Sequence, residues 1–265
     1  MKARNRPPRL DDAPRAAEKT AAAAPAPTPT EMLVRARIAG KSAKPGASEV
    51  RHRVERLDID PDDAWSAISA VFGATPADAV IDPARTDRAA RVAAMRIGAV
   101  ARQGGRIAFA SAHPGSLLGL HTGLARLAHA AGAEVYDADD SGPFRVDGRA
   151  GRFIRWVDGV AVVTDGASLL ATTGHDAADE WLFLVGRPSL AVADGPFAVA
   201  AAAAGIEVVA FAGLDRVDLA IPAVHTKGCL VVPVHTDRPA RAYTPLGALL
   251  ETDFAATSEG RDPEL

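Results

Sequence analysis

Several features are scarce in this 265-residue sequence, and each scarcity excludes something. Cys229 is the sole cysteine, so neither an intrachain disulfide nor a cysteine-based zinc site can form. It lies in Cys229-Leu-Val-Val-Pro-Val234, which reads as a buried strand, and a buried thiol is expected to be inert. Aromatic residues make up only 5%, too few for a base-stacking surface. The net charge of −3 lacks the basic excess of a nucleic-acid partner. No apolar run approaches the ~20 residues that cross a bilayer. The amino-terminal segment has no apolar signal core, and Asp11, Asp12 and Glu18 interrupt the Arg/Ala pattern of a transit peptide. These absences lead us to expect a cytoplasmic protein with neither membrane nor nucleic acid as partner.

What is abundant is apolar: 48% of residues are hydrophobic, enough for a sizeable core. Residues 1–30 are rich in Pro, Ala and Arg without a periodic apolar face, so a disordered tail is expected there. Residues 31–104 read as a helical segment packed on the main domain. Within it we expect a short helix ending at Gly40, a loop or weak helix over 41–56, a helix opened by Asp60-Pro61, and another over 87–103.

From Arg106 the pattern changes. Arg106-Ile-Ala-Phe-Ala110 is a buried strand, 111–115 a turn and 117–131 an amphipathic helix, followed by a strand from Glu134. A hairpin fits Phe144-Arg-Val146 and Phe153-Ile-Arg155, with Asp147-Gly148 in its turn. Further strands are expected at 160–163, 190–193, 207–210, 217–221 and 229–234, with helices at 177–185, 197–204 and 245–254. Strands alternating with helices imply a Rossmann-like α/β domain over 105–256, its mostly parallel sheet covered by helices on both faces. Residues 257–265 complete the chain as a second disordered end.

In such sheets ligands bind beyond the carboxyl ends of the strands, at the point where strand order reverses. That rule selects four loops. In the first, Ser111, Gly115 and Ser116 surround His113. Gly115 permits close backbone approach, Ser116 is placed to cap the helix, and free amides there favour an anion. His113 has the chemistry of a general acid or base or of a phosphate ligand. His121 lies one and a half turns into the helix, at the floor of a site or in the core.

The second loop holds Asp165, Gly166 and Ser168. Asp165 reads equally as a catalytic carboxylate and as an ordinary Asp-Gly turn residue. The third holds Asp194 and Gly195, with Asp194 a functional carboxylate or the N-cap before Pro196. In the fourth, His225, Thr226 and Lys227 offer a positive charge and a hydroxyl to a phosphate. All four are polar, which suits a small phosphorylated or sugar-like molecule. A divalent metal on His113, Asp165, Asp194 or His225 and a homodimer are both compatible with these residues, though no spacing specifies either. The chain contains no Gly-x-Gly-x-x-Gly fingerprint, Walker loop, Gly-x-Ser-x-Gly elbow or His-Glu-x-x-His helix.

Three stretches resemble a family of actinobacterial proteins named as phosphatases. Leu33-Val-Arg-Ala-Arg-Ile-Ala-Gly40 resembles its Leu-Val-Arg-x-Arg-Ile-Ala-Gly opening. His113-Pro-Gly-Ser-Leu-Leu-Gly-Leu-His121 is similar to its His-Pro-Gly-Gly-Leu-Leu-x-x-His turn, with Ser116 in place of a glycine. Tyr243-Thr-Pro-Leu-Gly-Ala-Leu-Leu250 is similar to its closing Tyr-x-Pro-x-x-x-Leu-Leu. The resemblance spans about residues 31–250 and implies phosphate chemistry. Two departures stand out. Ala171-Thr-Thr-Gly-His175 replaces a His-x-His-Ser-Gly stretch, and Ala193-Asp-Gly-Pro196 keeps the aspartate of an Ala-Asp-His-Gly segment but not its histidine.

Three readings follow. The first is a hydrolase of a small phosphorylated metabolite using His113, Asp194 and Asp165. The second is a non-catalytic phosphosugar- or nucleotide-binding protein. The third is a scaffold working through its amino-terminal tail.

Overall fold

A computed structural model describes residues 26–41, 46–146 and 148–258. Of the tail expected over 1–30, residues 1–25 lie outside the described residues, as do residues 259–265 of the end expected over 257–265; Pro29 and Thr30 instead open a helix and Thr257 and Ser258 close one.

Four helices come first: α1 (Pro29–Arg35), α2 (Gly46–Leu57), α3 (Pro61–Phe72) and α4 (Pro83–Arg102). Three open on a side-chain cap followed by proline. Thr28 caps α1 in a reciprocal capping box with Glu31, Asp60 caps α3 and Asp82 caps α4. Each cap satisfies amides that a helix start leaves unbonded, and proline at the first turn needs no amide partner. Helix α1 therefore begins at Pro29, before the expected start, and ends before Gly40, which instead pairs with Ile81 across an isolated antiparallel bridge.

The sheet follows: β1 (Arg106–Ser111), α5 (Pro114–Ala130), β2 (Glu134–Val135), β3 (Phe144–Val146), β4 (Arg149–Val157), β5 (Val160–Thr164), β6 (Leu169–Leu170), α6 (Asp176–Val185), β7 (Leu190–Asp194), α7 (Gly195–Ala203), β8 (Val208–Ala212), α8 (Val217–His225), β9 (Cys229–Pro233), a 3-10 turn (Ala240–Tyr243) and α9 (Thr244–Ser258). The strand order is β3-β4-β5-β1-β7-β8-β9, with β2 beside β1 and β6 beside β5. The run β5-β1-β7-β8-β9 is parallel, while β3, β4 and β6 are antiparallel additions. The fold is the Rossmann-like α/β arrangement expected. The hairpin of β3 and β4 forms as read, with Val146 opposite Arg149, although Asp147 of its turn lies outside the described residues.

The order places the switch point between β1 and β7. From β1 the chain crosses through α5 towards β2 and β5; from β7 it crosses through α7 the other way, to β8. Right-handed crossovers in opposite directions put α5 and α7 on opposite faces. Helix α4 joins α5 and α9, while α7 contacts α6 and α8. The central strands are buried on both faces: β1, β5, β7 and β8 carry apolar runs such as Val208-Val-Ala-Phe-Ala212, each residue fully buried. Burial pushes the Cys229 thiol up to about 11, in keeping with an inert side chain.

One expected element changes type. Residues 217–221, read as a strand, belong to helix α8, where Val217, Leu219 and Ala220 turn into the core. The apolar run is too short to show its period, and Pro222 inside the helix disguised it further. Of residues 41–56, expected as loop or weak helix, those from Gly46 on form α2, whose Val50 and Val54 are buried at i, i+4 spacing.

Candidate functional site

The carboxyl ends of β1 and β7 meet at the switch point, and there Asp194 is wholly buried. Its carboxylate accepts four hydrogen bonds. Oδ1 receives the Ala112 amide at 2.9 Å and His113 Nδ1 at 2.7 Å. Oδ2 receives the Ser111 hydroxyl at 2.7 Å and His121 Nε2 at 3.1 Å. A carboxylate offers about four lone-pair sites, and all are filled from within the protein. Burial alone would raise its pKa, but the bonds from His113 and His121 and their charges outweigh that and hold it below the ordinary 3.8. Asp194 is therefore an anion with no acceptor site to spare. Its geometry suits orienting its neighbours rather than attacking a substrate or ligating a metal.

Local backbone explains how Asp194 comes to face inward. It occupies the N-cap position of α7, yet its side chain makes no cap hydrogen bond. It is extended (φ −131°, ψ 167°) and is followed by Gly195 at φ +58°. A Cβ on Gly195 would stand 2.6 Å from Ala112 Cβ, so only glycine lets the two strand ends close together.

His113 is the N-cap of α5, also without a side-chain cap bond. The expected cap, Ser116, lies inside the helix, and its amide and that of Leu117 both close on the His113 carbonyl at 2.9 Å. Pro114 has no N–H, so Gly115, exposed, supplies the remaining amide of that turn. The His113 side chain is 30% exposed. Because Asp194 can only accept, Nδ1 carries the proton in that bond, which leaves Nε2 unprotonated in the neutral ring and without a partner among the described residues. Burial lowers the pKa of His113, but the hydrogen bond from its ring to Asp194 and the Asp194 charge outweigh it, so the value lies above the ordinary 6.5. The charge of Asp215 adds to the rise and that of Arg216 opposes it.

His121 is fully buried on α5, edge-on to Phe211 at 5.3 Å. Phe211 is the register partner of Asp194 in β8, which fixes the ring against the sheet. Donation from Nε2 to Asp194 leaves His121 Nδ1 buried without a partner.

Ser111, His113, His121, Asp194 and Gly195 are thus brought together. Gly115 and Ser116 stand beside His113 in the first turn of α5, whereas the proposed residues of the second and fourth loops bond elsewhere. Asp165, Gly166 and Ser168 form the tight turn between β5 and β6, where Asp165 accepts the amides of Ala167 (3.0 Å) and Ser168 (2.8 Å) and lies 3.5 Å from Arg152. Those amide bonds, Ser168 first, lower its pKa. His225, Thr226 and Lys227 are exposed at the end of α8, just before β9. Gly228 receives the Val208 amide at the first residue of β8, which puts this loop at the amino edge of the sheet, opposite the site. A strand at 217–221 would put this loop at the carboxyl edge; helix α8 in its place puts it at the opposite one.

The segment that departs from the family pattern does reach the site, since the Thr172 amide donates to Ala112 O at 3.1 Å. Sequence reasoning missed Asp215, Arg216 and Asp218 for the same reason that it missed α8. The signal was Gly213-Leu-Asp-Arg216 directly after β8, a polar loop at the same edge as Ser111 and Asp194. Among the described residues, no group of three His, Cys, Asp or Glu side chains is placed to hold a metal ion, and no helix is long and apolar enough to cross a membrane.

The profile of the family described as Phosphatase matches residues 66–255. The chain is also similar to a protein of Streptomyces coelicolor named Phosphatase SCO2771, with 31% identity over 253 residues that span 84% of this chain and 94% of that protein.

Proposed function

This chain belongs to the Phosphatase family, and on that premise we propose that it hydrolyses a small phosphorylated metabolite at the His113–Asp194 site. The observation that carries the reading is the partly exposed His113 ring, anchored through Nδ1 with Nε2 unpartnered among the described residues. In this reading Nε2 takes one proton of the water that attacks phosphorus, and the ester P–O bond breaks with its electron pair leaving on the alkoxide, which takes a proton from solvent. The imidazolium so formed stays paired with Asp194, which holds the ring in the productive tautomer. Ser111, the Ala112 amide and His121 fill the other acceptor sites of Asp194 and so fix its direction. Gly115 offers an amide to the phosphoryl group beside the ring.

Asp165 and the His225–Lys227 loop have no part in the chemistry proposed here. We take the protein as cytoplasmic, with 31–104 a helical segment on a domain of 105–256. The test is phosphate release from a panel of sugar phosphates and nucleotides, with and without divalent cations. Release that disappears in His113→Ala supports the reading. A panel that gives saturable binding but no release would favour the binding-protein alternative, and no binding at all would remove both.

A further inference from the structure

The loop after β8 carries a cation whose bonding is incomplete. Arg216 is the N-cap residue of α8, and its side chain is only 9% exposed. Its Nη2 lies 3.0 Å from Asp218 Oδ2, an ion contact without hydrogen-bond geometry, and neither Nε nor Nη2 has a hydrogen-bond partner. The same Oδ2 accepts a short bond from Arg53 Nη2 of α2, while Asp218 Oδ1 is itself buried without a hydrogen-bond partner among the described residues. Two guanidinium groups therefore share one carboxylate oxygen. A guanidinium is always charged and carries five N–H donors in a fork that matches a carboxylate or phosphate. Burying one without acceptors is costly unless an anion completes it.

Its position is informative. Phe211 pairs with Asp194 in the sheet, so the loop of residues 213–216 leaves β8 alongside the carboxyl end of β7. The Arg216 amide donates to Gly213 O at 3.1 Å, which turns the loop back over that edge. The charge of Arg216 acts on both His113 and Asp194. The same loop carries an opposing charge. Asp215 acts on His113 and Arg216, and a Cβ on Gly213 would stand 2.8 Å from Asp215 Oδ1. With Arg53 and Arg216 set against Asp215 and Asp218, the loop is neutral in sum, so the recognition comes from Arg216's donors rather than from a basic field.

We propose that Arg216 is the residue that binds the phosphoryl oxygens at the His113 site, pre-positioned by Asp218 and, behind it, by Arg53. This rests on the phosphatase reading only for the name of the anion, since a phosphate-binding protein without turnover would need the same group.

The experiment uses the full chain and inorganic phosphate as the probe, with binding followed by calorimetry. Arg216→Met is expected to leave the fold intact, because Asp218 then keeps Arg53 as its single partner. The inference expects phosphate affinity to fall at least about tenfold in Arg216→Met, and Arg216→Lys to recover only part of it because the fork is lost. Arg53→Met, which leaves Arg216 paired with Asp218, should change affinity by less than about threefold. Where an ester is turned over, Arg216→Met raises KM more than it lowers kcat. Wild-type affinity in both Arg216 variants would overturn the inference, as would equal losses in Arg53→Met and Arg216→Met, which mark a purely structural ion cluster. Absence of phosphate binding by the wild type would overturn it too. If the wild type binds phosphate through Arg216 yet hydrolyses nothing, this inference stands and the hydrolase reading fails.

Discussion

Asp194 and Asp165 occupy matching places in the sequence pattern and contrasting ones in the fold. Each follows a buried strand and precedes a glycine with positive φ, Gly195 at +58° and Gly166 at +92°. Asp165 turns to the amides of its own loop and to Arg152, at the surface. Asp194 is buried and gathers donors from β1 and α5, far away in sequence. The difference comes from topology. The chain after β5 folds straight back into β6, so its Asp-Gly pair makes a hairpin turn. The chain after β7 crosses into α7 next to the point where β1 departs the other way, the place where sheets of this kind hold ligands. The sheet-edge rule picks candidate loops; strand order decides which of them face one another.

The largest effect expected from this contrast is on stability. Asp194→Ala leaves the Ser111 hydroxyl, the Ala112 amide and two buried or half-buried imidazoles without their acceptor, and should cost about 3–5 kcal/mol in denaturant unfolding. Asp165→Ala should leave the unfolding midpoint nearly unmoved, as for an exposed turn residue. An equal loss in both would break the comparison.

The glycines sharpen it further. Gly195→Ala meets Ala112 Cβ at a strained φ and should cost about 1–3 kcal/mol, with a loss of ligand affinity as the two loops separate. Gly166→Ala has open space, so its cost should be the smaller, near about 1 kcal/mol, read from thermal unfolding. A larger cost at Gly166 would mean that the closure of β1 on β7 is looser than described.

The smallest effect is the pH dependence of the pair. Asp194 has a lowered folded pKa, so its contribution is in place above about 3.8 and is lost as pH falls through the depressed value. His113 has a raised folded pKa, so its contribution is complete below about 6.5 and is lost as pH rises through the raised value. Stability should therefore be greatest between these limits. In His113→Ala the loss on the alkaline side should disappear. A wild-type curve flat from pH 5 to 8 would show that the pair is not formed.

Much of the fold was legible because central parallel strands are continuous apolar runs bounded by Gly and Pro, as in β1, β5, β7, β8 and β9. Helix α5 and the β3–β4 hairpin declared themselves by leucine spacing and by an Asp-Gly turn. The part of the site on one continuous segment, Ser111 through His121, was legible as a motif. The choice between N-cap and functional carboxylate for Asp194 was not, because both put an aspartate before Gly-Pro. Only the long-range bonds to His113 and His121 separate them. Arg216 and Asp218 were hidden because a nine-residue apolar helix with an internal proline has no legible period, and misassigning it moved His225 and Lys227 to the wrong edge. Arg53 was hidden in a polar stretch whose helix is held mainly by two valines.

The account stands most directly on His113 Nε2 as the group that handles the proton. Its test is kcat/KM for one phosphate ester across pH, in the wild type and in His113→Ala. The account predicts a wild-type rate that rises with pH through a value above 6.5, as the raised His113 loses its proton, and a variant about 10²–10⁴-fold slower without that rise. A variant that keeps the wild-type rate and pH profile would contradict it.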